Sequence, residues 1–467
     1  MLDRLRALER LTRPEHPDLT AALAARWEEL PAHVKGANQM LGRRTAGCEG
    51  THGVFPKCNL ACTPCYHAKE AQRVRTDGEH TRVEVTAQMA FLRGVRGPGQ
   101  NAQLIGGEVS LLEPDDHAAA LRAMLDHGRK PMSMTHGDFD YPYLEALALD
   151  PETGRPRFSH LSFAGHFDSM MFGRRGIKKV EREEQLHPYR KAFCEMFARL
   201  EEEHGVTSYL AHNMTITPRN IDQIPEVLRA CRDYGFRMFS FQPAAFVGNE
   251  ARWKDSYRAF STDAVWARIE EGAGGELHDD AMLIGDKRCN RTAYGAYVGQ
   301  RYVPLLDQRS SADARWLEAF LTTFGGMDFA DGRALTAART VRALVENPAT
   351  LARLAGWGAR FAARAGGPVA LARDRPRAIT YVMHSFMDAK TVRPAWAAME
   401  RGETTHEDPD VQATIERLRS CSYAMAHPED GRTVPACAQH SVLDPLENVA
   451  LMALLPAHEN VAEPATA

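Results

Sequence analysis

The sequence predicts an α/β fold, an open or closed barrel of parallel strands, and two observations carry that expectation. Six short apolar segments alternate with five helical patterns from residue 51 to about 245, the signature of a repeated strand–helix unit. Cys58, Cys62 and Cys65 fall within eight residues, directly after the first of those segments. A barrel of this kind carries its site on the loops that follow its strands.

Residues 1 to about 45 read as helical, with Leu2, Leu5, Leu8 and Leu11 at threefold spacing and Pro14 and Pro17 closing that segment. A second helix, Leu19 to Leu30, follows Asp18 as its cap. Cys48 then stands in Gly47-Cys48-Glu49-Gly50, either as an extra metal ligand or as a small buried hydrophobe. The candidate strands are Thr51–Phe55, Ala102–Ile105, Pro131–Thr135, His160–Ala164, Ser208–Thr217 and Phe236–Gln242. Between them, Glu113-Pro114-Asp115-Asp116 opens one helix that Gly128 closes. Asn220-Ile221-Asp222-Gln223 opens another, with Pro225 just inside and Gly235 after its end.

After Pro243 the alternation stops, giving three predicted regions: a helical preface (1–50), the barrel (51–248) and an extension (249–467). Residues 250–300 are mixed and contain Cys289. An alanine- and arginine-rich helical stretch runs from about 312 to 372, broken at Gly325-Gly326 and Gly366-Gly367. Its apolar face is expected to face a core, or to line a pocket for a long substrate. A strand, Ala378–Met383, leads into His384-Ser385-Phe386-Met387-Asp388. Cys421 and Cys437 flank the turn Pro428-Glu429-Asp430-Gly431, and a hairpin there would bring both thiols to one end.

The chain has 467 residues, of which 44% are hydrophobic and 25% charged, enough for a large core. A formal net charge of -4 gives no basic surplus for nucleic acid. Local runs such as Arg174-Arg175 and Lys178-Lys179 read as a solvated face or as partners for a carboxylate or phosphate. Nine cysteines, odd in number and clustered, point to a reducing, cytoplasmic compartment and to metal use. There is no apolar leader, and the longest apolar run, Val449 to Leu455, is far too short to span a membrane.

Three thiolates on one short loop ask for a soft metal. A structural zinc or an ordinary electron-transfer cubane takes four protein ligands, whereas a cubane held by three leaves one iron for a substrate or cofactor. The alternative is a zinc site completed by a distant Cys or His. Downstream, Leu104-Ile105-Gly106-Gly107-Glu108 ends an apolar run in two glycines and a carboxylate, as a strand would where backbone must approach a ligand closely.

Together the cysteine loop and the Gly-Gly-Glu turn resemble the radical S-adenosylmethionine superfamily. The resemblance implies a partial (β/α)6 barrel, a 4Fe-4S cluster on Cys58, Cys62 and Cys65, and S-adenosylmethionine chelating the free iron, with Gly106, Gly107 and Glu108 receiving its amino group. It also implies that Ser162 meets the cofactor ribose and that Arg174, paired with Gly176, meets its carboxylate. Asn213, Thr215 and Asn220 fall where the family places polar residues around its fifth strand. Two positions depart from the pattern: His136 stands in a Thr-Asn-Gly-like motif, and Pro64 occupies the usual aromatic position, with Tyr66 displaced beyond Cys65 as the adenine contact. Cys289, Cys421 and Cys437 form a second triad that resembles an auxiliary-cluster hairpin within the mixed, largely helical extension. The order His384 to Asp388, Cys421, Asp430-Gly431, Cys437 resembles the tail of the archaeal tetraether lipid synthase group.

The expected activity is reductive cleavage of S-adenosylmethionine and hydrogen abstraction from an unactivated C–H of a small or lipid-like substrate, with a flavodoxin or ferredoxin as reducing partner. Peptide maturation and a non-catalytic iron-sulfur carrier or sensor are the alternatives. His67, His136, His166 and His212 all fall near strand ends, where one of them could relay a proton.

Overall fold

A computed structural model of the chain describes residues 2–62, 65, 72–248, 255–329 and 332–457. Its strands, in chain order, are β1 (Cys48–Gly50), β2 (Ala61–Cys62), β3 (Asn101–Leu104), β4 (Lys130–Thr135), β5 (His160–His166), β6 (Met171–Phe172) and β7 (Thr207–Ile216). They continue with β8 (Met238–Pro243), β9 (Asn290–Val298), β10 (Arg301–Pro304), β11 (Arg377–His384), β12 (Tyr423–His427) and β13 (Arg432–Pro435). Eleven of them form one sheet in the order β10-β9-β11-β8-β7-β5-β4-β3-β1-β12-β13, while β2 pairs with β6 apart from it.

The expected parallel unit is there. β1, β3, β4, β5, β7 and β8 run parallel in neighbouring register, joined by the helices Gly78–Arg96, Pro114–Asp126, Tyr141–Ala148, His187–His204 and Ile224–Cys231. Local chemistry starts and stops these helices. Asp77 caps the first by accepting from His80 N, Pro114 opens the second, and Gly205, at φ 72°, ends the fourth. Their apolar stripes, such as Val85, Met89 and Leu92, pack with Phe163, Phe193 and Phe197 in one core outside the sheet. Burial of each such side chain contributes about 1.5–3 kcal/mol.

The first strand differs from its expected place. It is Cys48–Gly50 rather than Thr51–Phe55, because the chain turns out of the sheet at Gly53, at φ 65°. That exit carries the carbonyls of Phe55 and Lys57 to the amides of Gly107 and Glu108.

The extension adds strands to both edges of the six. β11 pairs parallel with β8 at one edge, and β12 pairs parallel with β1 at the other. The hairpin β9–β10 lies antiparallel on β11, and β13 lies antiparallel on β12. The sheet curls until its edges approach: Arg417 Nη2 donates to Ser385 O over 2.9 Å, and Ser385 N donates to Cys289 O over 2.8 Å. β11 and β12 are each paired on both sides, by β9 and β8 and by β1 and β13, so Arg417 and Ser385 bridge the seam from segments beside the strands and not as strand partners.

The helical stretch is less core-facing than its pattern suggests. Ser311–Phe324 buries Trp316, Leu317 and Leu321, but Arg333–Glu346 and Pro348–Arg364 leave Val341, Val345 and Leu351 exposed. Their alanines let the helices lie on one another without a deep interior. Among the described residues, no helix is long and apolar enough to cross a membrane.

Candidate active site

Alternate residues of a strand share one face. Lys130, Met132 and Met134 of β4, His160, Ser162, Ala164 and His166 of β5, and Met238, Ser240 and Gln242 of β8 all line a cavity of about 1130 Å³ inside the curled sheet. The cavity reaches from the cysteine loop, at the C-terminal ends of the strands, to Lys130 and Asn101 at their starts.

Cys58, Cys62 and Cys65 all line this cavity. Cys62 is fixed by the β2–β6 pairing, where it lies opposite Met171, and Cys58 Sγ accepts from Leu60 N over 3.4 Å. Burial pushes the Cys58 thiol up to about 12, with Glu108 and Cys65 adding to it. Burial likewise raises Cys62 well above the usual thiol range; Cys65, Asp168 and Cys58 add to the shift, and Arg174 opposes it.

The diglycine turn is built against the cysteine loop. A Cβ on Gly107 would stand 1.9 Å from Lys57 O, and one on Gly106 would stand 2.9 Å from Phe55 O. The sequence suggests that these glycines make room for a ligand; in the structure they make room for the chain entering the cysteine loop. Glu108 is buried. Its Oε1 accepts from Ser110 N, Ser110 Oγ and Thr135 Oγ1 over 3.0, 2.6 and 2.6 Å, and its Oε2 accepts from His136 N over 2.7 Å. His136 Nε2 also stands 3.3 Å from the same Oε2.

His136, the departure from the family motif, acts as a strut. Its Nδ1 accepts from Asp138 N over 3.0 Å, which leaves Nε2–H to donate to Asn59 Oδ1 over 2.7 Å. Burial lowers its pKa and keeps it neutral at physiological pH. Arg174 sits behind the cavity wall: Nη2 donates to His136 O over 2.7 Å and His166 O over 3.3 Å, while Nη1 is buried without a hydrogen-bond partner. His212 is buried against Arg190 Nε at 2.9 Å, outside the cavity lining. Asn220 serves the fold, its Nδ2 donating to Thr215 O over 2.9 Å.

His166 is different. Its Nε2 lies 2.6 Å from Asp168 Oδ2, and Asp168 is itself fixed by the amides of Met170 and Thr215 over 2.8 and 2.9 Å. With Nε2–H donating to Asp168, Nδ1 is the ring's acceptor, and His166 lines the cavity. Asn213 and Thr215 line the same wall. Ser162 also lines the cavity, but four residues below the end of β5 and beside His160 Nε2 at 3.3 Å, so it lies away from the cysteine loop. Tyr66 and His67 lie outside the described residues.

The second triad fills the seam. Cys421 and Cys437 flank β12 and β13 at the open end of their hairpin, as the sequence indicates, and Cys289 immediately precedes β9. Arg417 Nε donates to Cys289 Sγ over 3.1 Å, and Met387 N donates to Cys437 Sγ over 3.4 Å. Burial raises Cys437, with Cys421 and Cys289 adding to the shift. All three line the cavity that the first triad lines. Cys48 also lines it, but its thiol is raised to about 12 by burial and then by Glu49, not by a thiol neighbour.

Asp168, Arg417 and Lys130 escape the sequence reading. Asp168 follows His166 by two, and Lys130 begins an inward alternation with Met132 and Met134; those spacings are the signals that could have found them.

No protein-family model and no curated protein matches the chain. Among solved structures, one described as native anSMEcpe with bound AdoMet is 14% identical, with a TM-score of 0.29, over 42% of this chain and 50% of that chain. The match thus spans half of that protein's length, and an overlap this loose decides nothing about activity.

Proposed function

We propose that the chain is a radical S-adenosylmethionine enzyme acting on a C–H bond of a small or lipid-like substrate held inside the barrel. One observation carries the reading: the three thiols of one loop line a cavity of about 1130 Å³, and the Gly-Gly-Glu turn is hydrogen-bonded to the residue before the first of them.

Cys58, Cys62 and Cys65 would hold a 4Fe-4S cluster, leaving one iron for the amino and carboxylate groups of S-adenosylmethionine. A reduced cluster held there would supply the electron for reductive carbon–sulfur cleavage of S-adenosylmethionine. The protein's own work is placement. Glu108 would receive the ammonium group, and Arg174, held behind the cavity wall by His136 O and His166 O, would lend its positive charge to the carboxylate. His136 holds Asn59, and through it the cysteine loop. Among the histidines at strand ends, His166 has the geometry to take a proton at Nδ1 while Asp168 holds Nε2–H.

Cys289, Cys421 and Cys437 would hold an auxiliary cluster at the seam. Met132, Met134, Met170, Met171 and Met238 give the chamber deformable apolar walls, which favours an apolar substrate over a peptide backbone. The test is equilibrium dialysis of S-adenosylmethionine against the full chain, anaerobically reconstituted with iron and sulfide. Binding that appears on reconstitution and disappears in the variant with Cys58, Cys62 and Cys65 all changed to Ala supports the reading. Binding that is equal with and without the cluster contradicts it.

A further inference from the structure

The cavity does not stop at the level of the cysteine loop. Lys130 begins β4 and Thr135 ends it, so five residue steps put about 17 Å between the Lys130 end and the Glu108 end. Between them Met132, Met134, Ile105 and Met238 line one apolar stripe of the wall, with Gln103, Ser162 and Ser240 beside it.

The far end is charged. Arg44 and Lys130 both line it, and Asp328 is the acidic residue lining it there. Arg44 is held in place, its Nη1 donating to Gly325 O over 3.1 Å and Met327 O over 2.8 Å, with its guanidinium 4.5 Å from the Phe329 ring centre. Lys130 has no such partner: among the described residues its ammonium makes no hydrogen bond or ion pair. Burial lowers its pKa, Arg44 adds to the lowering, and Asp328 opposes it. Lys130 is partly buried, and Asp328 is the counter-charge to both cations, so one positive charge at this end is left for a further anion. The strand register nevertheless aims Lys130 inward, in line with two methionines.

We propose that this end binds the terminal oxyanion, carboxylate or phosphate, of an elongated apolar substrate, with Lys130 as its charged partner and the apolar body lying along the methionine wall toward Cys58, Cys62 and Cys65. The inference rests on the barrel cavity being the substrate chamber of the reading above, but its test needs no turnover.

The test is calorimetric binding of decanoate, decyl phosphate, decanol and inorganic phosphate to the full, anaerobically reconstituted chain and to its Lys130→Met and Lys130→Arg variants. Loss of one charge-assisted hydrogen bond predicts that Lys130→Met weakens decanoate and decyl phosphate by about 10- to 100-fold. Lys130→Arg should retain most of that affinity, decanol should bind all three proteins alike, and inorganic phosphate should bind far more weakly than decyl phosphate. Lys130→Met removes an unpaired charge and should melt no lower than the parent, which shows that the fold is intact. Equal anion affinity in Lys130→Met and parent, equal affinity of the parent for decanol and decanoate, or inorganic phosphate binding as tightly as decyl phosphate would each overturn the proposal. Charge-dependent binding by a chain that forms no 5'-deoxyadenosine would sink the radical reading and leave this one standing.

Discussion

The amide of Glu108 donates to the carbonyl of Lys57 over 2.9 Å, one residue before the first cysteine of the triad. The acid that would receive the cofactor and the loop that would hold the cluster are therefore one mechanical unit. Gly107 makes the approach possible, because a methyl group there would overlap the Lys57 carbonyl at 1.9 Å. Backbone cannot rotate away as a side chain can. Gly107→Ala should destabilise the fold by about 1–3 kcal/mol and lower iron incorporation at the first triad. Chemical denaturation together with iron counts checks both.

The two triads should load independently. They sit on separate elements, the β2 loop and the β9, β12–β13 seam, although they share a chamber. Changing Cys58, Cys62 and Cys65 to Ala should leave about four irons and four sulfides per chain, and changing Cys289, Cys421 and Cys437 should leave the other four. If the first variant retains no iron, the auxiliary cluster is removed from the account.

Much of this was legible in the residues. Apolar alternation located five of the six barrel strands to within two residues at either end, and the Pro428–Gly431 turn correctly joined Cys421 to Cys437 in a hairpin. What the residues could not show is which strands become neighbours. Arg377–His384 reads as a strand, but its place beside β8, and that of β12 beside β1, follow from the curl of the whole sheet. The hairpin β9–β10 was missed although Tyr294, Tyr297 and Tyr302 flank Gly299-Gln300, a turn whose Gly sits at φ 60°. The glycines of Gly-Gly-Glu were recognised as a close approach, but the approaching atoms belong to Phe55 and Lys57, a contact between segments about fifty residues apart.

A buried ion pair pins β1 to the loop before β4. Arg129 Nε and Nη2 donate to Glu49 Oε2 and Oε1 over 2.8 and 3.2 Å, and both side chains are fully buried. Burial raises Glu49 and lowers Arg129, each opposed by the partner's charge, so the pair is held by geometry rather than by a net electrostatic gain. Arg129→Met strands the carboxylate and should cost about 3–5 kcal/mol, whereas the double variant Glu49→Leu with Arg129→Met should recover much of that loss. Urea denaturation of the set measures it, and additive losses would contradict this view of the pair.

His117 gives the fold an acid limit. It is fully buried between Tyr143 Oη and Ser133 Oγ at 2.9 and 2.8 Å, and burial lowers its pKa from 6.5 to about 3. The folded state keeps it neutral while the unfolded chain takes up a proton below pH 6.5. Its contribution is therefore complete above that value and is lost as pH falls toward 3, amounting to about 2 kcal/mol at pH 5. A His117→Gln variant should show a correspondingly shallower loss of stability between pH 7 and pH 5 in denaturation series.

The first triad is the proposed place where a sulfonium compound is split. The most direct measurement is chromatographic quantitation of 5'-deoxyadenosine after the reconstituted chain is reduced with dithionite in the presence of S-adenosylmethionine, beside the variant lacking Cys58, Cys62 and Cys65. The intact chain should release 5'-deoxyadenosine and the variant none above background. A fully reconstituted, reducible chain that binds S-adenosylmethionine and releases no 5'-deoxyadenosine, or equal amounts from both proteins, would contradict it.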